Sequence, residues 1–216
     1  MTITVTPLRL ILAAVVVGLL AWLLWPAGGP RWPVAKLAQA PSRLVVIGDS
    51  LTTGYKLGDP QKSFPLELGR RLGLPVQVEG INGCTLSQGS ERLDSLKLGD
   101  PALVLLCLGG NDQLQVVPQE ISNAALKSIL QRLRAQGHSV AYVEVLSPVG
   151  GARSKAWRQI CQEQQVAVIP DAMKNMFLDP KLMTDDNIHP SEAGCSLLAE
   201  RSLKSLRHFG LIPEEK

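Results

Sequence analysis

Arg43-Leu44-Val45-Val46-Ile47-Gly48-Asp49-Ser50-Leu51-Thr52-Thr53-Gly54 is the stretch that decides how the chain is read. Four consecutive apolar residues, three of them β-branched, mark a strand buried on both faces. The run stops on Gly48, offers a hydroxyl at Ser50 and reaches a second glycine at Gly54. That sequence describes a strand-to-helix turn, which can hold a side chain at the mouth of an open α/β sheet, where such sheets bind their ligands. Glycine and serine after a strand are also ordinary turn chemistry. The remainder of the chain has to decide between the two.

Working outward, short apolar runs alternate with amphipathic stretches. After the first strand over 44–47, the pattern predicts a helix over 64–72, a strand over 76–81 and a helix from about 87 to 98. A strand buried on both faces follows over 102–108. The stripe Ile121, Ala124, Ala125, Ile129, Leu133 predicts a helix that Gly137 stops. Strands over 140–146 and 166–169 bracket a helix over 156–164, and a last helix runs over 191–208. Repeated strand–helix units imply an α/β fold, a parallel, doubly wound sheet with helices on both faces.

Polar residues interrupt this plan in four places: at Ser50; at Asn82-Gly83-Cys84-Thr85; at Gly109-Gly110-Asn111-Asp112; and at Asp185-Asp186-Asn187-Ile188-His189-Pro190. The first three follow the carboxyl ends of the first three strands, which share one edge of a parallel sheet. Each has a bland reading as a turn or a helix entry, and Asp185, Asp186 and His189 also resemble an incomplete metal set. Together they supply what acyl transfer requires. Ser50 can attack. His189 is the best placed of three histidines, because His138 opens a strand and His208 lies near the carboxyl end. Asp186, three residues earlier, can accept from the imidazole Nδ1 and so leave Nε2 to take the serine proton. Gly83 can bring a backbone N–H to the substrate without a side chain in the way. The Asn111 amide and the Ser50 N–H can add two more donors for the oxyanion.

These blocks, Gly48-Asp49-Ser50-Leu51, Gly83, Gly109-Gly110-Asn111-Asp112 and Asp186-x-x-His189-Pro190, resemble the GDSL or SGNH hydrolases in order and spacing, over residues 43–209. Gly48-Asp-Ser-Leu-Thr-Thr-Gly-Tyr55 and Met183-Thr-Asp-Asp-Asn-Ile-His-Pro190 are most similar to the bacterial thioesterase, lysophospholipase and arylesterase branch. The resemblance implies a flavodoxin-like three-layer α/β/α sandwich on a five-stranded parallel sheet and no metal or organic cofactor. It also implies a Ser50–His189–Asp186 triad with Ser50, Gly83 and Asn111 as the oxyanion hole. The chain departs from that branch at Asn82-Gly83-Cys84 and in the loop 147–153, both of which can line the acyl pocket. Asp112 is assigned to its turn, and Asp49 to capping or bracing the nucleophile turn.

The chain has 22 Lys+Arg and 19 Asp+Glu, net +3. Arg9, Arg31 and Lys36 are the basic residues before Ser42, so from Ser42 onward 19 basic residues face 19 acidic ones. A neutral domain gives no sign of a nucleic-acid surface. The four cysteines, Cys84, Cys107, Cys161 and Cys195, lack metal-ligand spacing and read as buried thiols, with a nucleophilic role for Cys84 as a minor alternative. The uncharged run from Leu10 to Trp25 spans roughly 24 Å as a helix. Arg9 and the flanking Trp22 and Trp25 can extend it toward the ~30 Å hydrocarbon core. It is expected to be an amino-terminal membrane anchor over 1–27, with a cleaved signal sequence ending at Ala38-Gln39-Ala40 as the rival. Residues 28–42 then form a Pro/Gly-rich linker, 43–210 the hydrolase domain and 211–216 a tail. Arg31, Lys36 and Arg43 favour a cytoplasmic domain by the positive-inside count. A single anchor before a hydrolase domain points instead to a periplasmic or other extracytoplasmic site, the expectation adopted.

The expected function is a serine esterase acting on acyl esters or thioesters, small-molecule or lipid, held at the membrane by its helix. A carbohydrate or cell-wall O-acetyl esterase is the alternative with the same mechanism. A flavodoxin-like binding module is the remote third, because the turn at 48–54 matches neither a dinucleotide fingerprint nor a P-loop.

Overall fold

The computed structural model describes residues 32–145 and 151–214. Five strands, β1 (Leu44–Gly48), β2 (Val76–Gly80), β3 (Leu103–Cys107), β4 (Ser139–Val143) and β5 (Ala167–Ile169), form one sheet in the order β2-β1-β3-β4-β5. Every pairing is parallel, and the register sets Gly48 level with both Gly80 and Cys107. The chain leaves β1 toward β2 on one side and returns to β3 on the other. The gap between the ends of β1 and β3 is thus the point where strand order reverses, the usual ligand crevice of such sheets.

Alternation within the strands sorts the core onto two faces. Leu44, Val46, Leu103, Leu105, Ala141 and Val143 point toward α2 (Phe64–Leu72) and α7 (Glu192–His208). Val45, Ile47, Val104, Leu106, Val140 and Tyr142 point toward α3 (Leu86–Arg92), α5 (Gln119–Ala135) and α6 (Gly151–Glu163). β1 and β3 are buried along their whole length, whereas β2 at the edge is only partly covered. A fully buried Leu or Phe contributes about 1.5–3 kcal/mol, so this double face is the main stabilising term.

The α-helix expected over 87–98 ends at Arg92 and tightens into a 3₁₀ turn, Leu93–Ser95. The two short helices after β1 and β3, α1 (Ser50–Thr53) and α4 (Gly110–Leu114), lie where turns were expected, because four or five residues are too few to show a helical period. The stretch expected as linker is docked from Trp32 onward. The indole Nε1 of Trp32 donates to the Val166 carbonyl at 2.9 Å, its ring meets Phe209 at 5.1 Å, and Ala35 N–H bonds Gln165 O. Leu211 and Ile212, placed in the tail, are buried in the same cluster. Pro/Gly composition concealed how much apolar surface these ends bring to the core.

The membrane-anchored, extracytoplasmic placement is corrected. Among the described residues no helix is long and apolar enough to cross a membrane, and the segment 1–27 on which the expectation rested lies outside them. Nothing among the described residues supports the membrane as a partner.

Candidate active site

The turn after β1 is held by Asp49. Its carboxylate caps α1 by accepting the Leu51 N–H at 3.0 Å, and its carbonyl takes the N–H groups of Thr52 and Thr53. Ser50 is the first helical residue, where a helix leaves its N–H without an internal partner. Its Oγ lies 2.9 Å from His189 Nε2.

His189 comes from a loop that closes on itself before α7. Met183 and Pro190 form an antiparallel bridge, Thr184 N–H bonds the His189 carbonyl, and Asn187 turns the chain with φ of 54°. Asparagine is one of the few residues that tolerate such a φ. Inside the loop, Asp186 Oδ1 accepts from Thr184 Oγ1 at 2.8 Å, Ile188 N at 2.9 Å and His189 N at 3.0 Å. Asp186 Oδ2 is 2.7 Å from His189 Nδ1. Partial burial pushes the Asp186 carboxyl up, but the bonds it receives outweigh that and hold it well below the ordinary carboxylate range. A carboxylate on Nδ1 fixes the tautomer that presents a bare Nε2 to Ser50. Tyr55 meets the imidazole edge-on at 5.0 Å. Asp185 turns outward toward Lys56 at 3.6 Å, away from Asp186 and His189.

The two other expected blocks arrive at the same edge. Gly83 has φ of 77° and lines the same cavity as Ser50. Asn111 is in α4, whose entry depends on Gly109: with φ of 111°, a Cβ there would lie 2.7 Å from the Trp157 ring. The Asn111 amide donates to Asp49 Oδ2 at 3.0 Å and to the Cys84 carbonyl at 3.2 Å. Asp49 is 2 % exposed; burial pushes its carboxyl up to about 6, against the Leu51 and Asn111 bonds, which lower it. Cys84 is buried beneath this loop, and burial pushes its thiol up, the opposite of what a cysteine nucleophile needs.

Asp112 does more than shape a turn. Fully buried, it accepts the Leu86 N–H at 2.9 Å and the Ser122 hydroxyl at 2.7 Å, and so ties the loop carrying Gly83 to the loop carrying Asn111. The acidic residue beside Asn111 was the signal, but its partner 26 positions earlier was not readable. Glu144 is a second missed group. Fully buried at the end of β4, it takes a fork from Arg158 (2.8 and 2.5 Å) and the Asp171 N–H at 3.0 Å. Arg158 itself is 36% exposed, so it is the sealed Glu144 carboxylate that would be left without a counter-charge if the pair were broken. This pair steadies the segment that carries Met173 and Phe177.

Those two residues, with Tyr55, Leu114, Val145 and Ile188, wall a cavity of about 430 Å³ that opens over Ser50, Asn111 and His189. Its surface is predominantly apolar.

A sequence model of the GDSL-like lipase/acylhydrolase family matches residues 46–197, more than half of the chain. Thioesterase 1/protease 1/lysophospholipase L1 of Escherichia coli (strain K12) is 30% identical over 179 residues, covering 79% of this chain and 86% of that protein. The arylesterase of Vibrio mimicus is 29% identical over 175 residues, 76% of this chain and 87% of its own. Among solved structures, TesA is similar with a TM-score of 0.72 at 27% identity, covering 77% of this chain and 99% of that one. The psychrotrophic esterase EstA from Pseudoalteromonas sp. shares the fold with a TM-score of 0.69 at 22% identity, covering 78% and 98%. The chain belongs to the GDSL-like lipase/acylhydrolase family, the SGNH hydrolases, and is a serine hydrolase acting on ester bonds.

Proposed function

We propose that the enzyme cleaves acyl esters or thioesters whose acyl group is apolar, through Ser50, His189 and Asp186. Ser50 Oγ attacks the carbonyl carbon while His189 Nε2 takes its proton, and Asp186 stabilises the imidazolium that forms. Negative charge on the former carbonyl oxygen is met by the N–H groups of Ser50 and Gly83 and by the Asn111 amide. Collapse expels the alcohol or thiol, which receives the proton from His189, and leaves an acyl group on Ser50. Water, deprotonated by the same imidazole, then releases the carboxylic acid.

The observation that carries this reading is the hydrogen-bonded chain Ser50–His189–Asp186, at 2.9 and 2.7 Å, opening onto an apolar cavity. The names of the relatives, a thioesterase and lysophospholipase, an arylesterase and an esterase, support the substrate class. An O-acetyl esterase of carbohydrates would use the same three residues. It would need only a small acyl site with polar partners for sugar hydroxyls, and the wall of Leu114, Val145, Met173, Phe177 and Ile188 favours a longer chain. Ser50→Ala is expected to abolish nearly all hydrolysis of p-nitrophenyl butyrate while circular dichroism and melting stay those of the wild type. Wild-type turnover by that variant would refute the nucleophile assignment.

A further inference from the structure

The Asn111 side chain poses a problem for its proposed role. An asparagine amide has two hydrogens, and here both are committed: one to Asp49 Oδ2 at 3.0 Å, the other to the Cys84 carbonyl at 3.2 Å. Two acceptors on the same side fix which end of the amide is nitrogen. A donor to the oxyanion must therefore release one of these partners. The Cys84 carbonyl is neutral and at the longer distance, and bonds to ionised acceptors are the stronger class. Asp49 is the partner that stays.

We propose that Asp49 is a positioning residue for the oxyanion site: one of its oxygens holds the nucleophile turn and the other holds the Asn111 amide, so that one buried carboxylate sets the attacking group and an oxyanion donor at a fixed separation. The geometry is direct. Oδ1 receives the N–H of Leu51, the residue after the nucleophile, and Oδ2 receives Asn111 from α4, which follows the neighbouring strand β3. The side chain is 2 % exposed, so water does not compete for either oxygen. In the free enzyme the Cys84 carbonyl occupies the second Asn111 hydrogen; the substrate oxygen replaces it as charge develops. The negative charge of Asp49 opposes the oxyanion, and the imidazolium of His189, formed in the same step, offsets it. What Asp49 contributes is placement, and a misplaced donor is costly because oxyanion donors act within a narrow range of distance. The inference rests on the reading of Asn111 as an oxyanion donor.

The test is a double-mutant cycle on p-nitrophenyl butyrate with Asp49→Ser and Asn111→Ala. Serine is a good helix N-cap and can still accept from Leu51, but it is too short to reach Asn111. Asp49→Ser is expected to lower kcat about thirtyfold with KM within about twofold, the signature of an interaction made in the transition state. Asn111→Ala should lower kcat by about 10²–10³, and the double variant should match Asn111→Ala within about threefold, because Asp49 then has nothing left to position. If the two losses multiply, or Asp49→Ser keeps wild-type kcat while Asn111→Ala does not, the positioning role is overturned and the oxyanion reading stands. If Asn111→Ala keeps wild-type kcat, the oxyanion reading itself fails. Should Asp49→Ser not fold, Asp49→Asn runs the same cycle at constant volume. Its oxygen can cap Leu51 only by turning its own amide hydrogens against those of Asn111.

Discussion

Two carboxylates stand within one residue layer of the Ser50–His189 pair, and they are held in opposite ways. Asp186 sits in a self-closed loop before α7, partly open to water, and collects three bonds on one oxygen and the imidazole on the other. Asp49 sits under the sheet edge, sealed from water, with a single bond to each oxygen. The first is supplied with donors beyond what its burial costs, so its carboxyl is pulled down; the second is desolvated beyond what its donors return, so it is pushed up to about 6. The same residue type thus serves two purposes. A carboxylate that must stay charged beside an imidazole is surrounded by N–H and O–H groups, while one that acts as a rigid bracket can be buried.

The sharpest way to break the comparison is at Asp186. Asp186→Asn keeps an acceptor for the backbone N–H groups of Ile188 and His189, so the loop should survive. Its amide hydrogens, however, would face His189 Nδ1 and favour the tautomer that cannot take the Ser50 proton. Removing the charge at the equivalent position of a serine protease triad lowers kcat about 10⁴-fold, and a loss of that order is expected here. A steady-state assay that finds less than a tenfold loss would show that Asp186 orients nothing of consequence.

A titration separates the two groups next. The ordinary aspartate value is 3.8, and Asp49 lies at about 6 in the fold. Between those values the folded chain holds a proton that the unfolded chain has released, so Asp49 favours folding on the acid side and that contribution is lost as pH rises through about 6. The difference corresponds to about 3 kcal/mol. Asp186 has the reverse sign: its contribution is present above 3.8 and lost as pH falls below it. Urea unfolding of wild type and Asp49→Ser at pH 4 and pH 7 should therefore show the wild type losing most of that, about 2 kcal/mol, relative to the variant. For Asp186→Asn the gap should hold over that range and change only at lower pH. A constant gap for Asp49→Ser would mean that water reaches its carboxyl.

How much of this was legible in the sequence follows from what each feature depends on. β1 and β3 were readable because burial on both faces leaves an unbroken apolar run; the blocks at Ser50, Gly83 and Asn111 stood out as polar breaks at strand ends, and the one at His189 as a polar break before the last helix. The Asp186–His189 contact could be anticipated because both residues lie in one short loop. The Asp49–Asn111 bond joins residues 62 apart, and Asp112 reaches a backbone N–H 26 residues earlier. Such contacts depend on which strands lie side by side and where each side chain points at the edge, and neither is a local property of the sequence. Trp32 was missed for the same reason. Its partner Val166 is 134 residues away, and the prolines and glycines around it resemble a free linker.

The smallest expected effect concerns the wall opposite the two carboxylates, and it decides between acyl classes. Phe177 is 39% exposed at the cavity mouth, next to the buried Met173. Neither carboxylate touches it, so shortening it leaves their bonds in place and alters only the apolar surface offered to a substrate chain. Each methylene sheltered by such a pocket is worth about 1–3 kcal/mol of discrimination at most, and a rim residue delivers the low end. Phe177→Ala should lower kcat/KM for p-nitrophenyl decanoate by about three- to tenfold and leave the acetate ester within twofold. Assayed across chain lengths from acetyl to palmitoyl, the wild type should prefer chains longer than acetyl. An acetyl-only profile that Phe177→Ala does not change would transfer the chemistry of Ser50, His189 and Asp186 to an O-acetyl substrate, because the wall would then be shelter for the site and no part of its specificity.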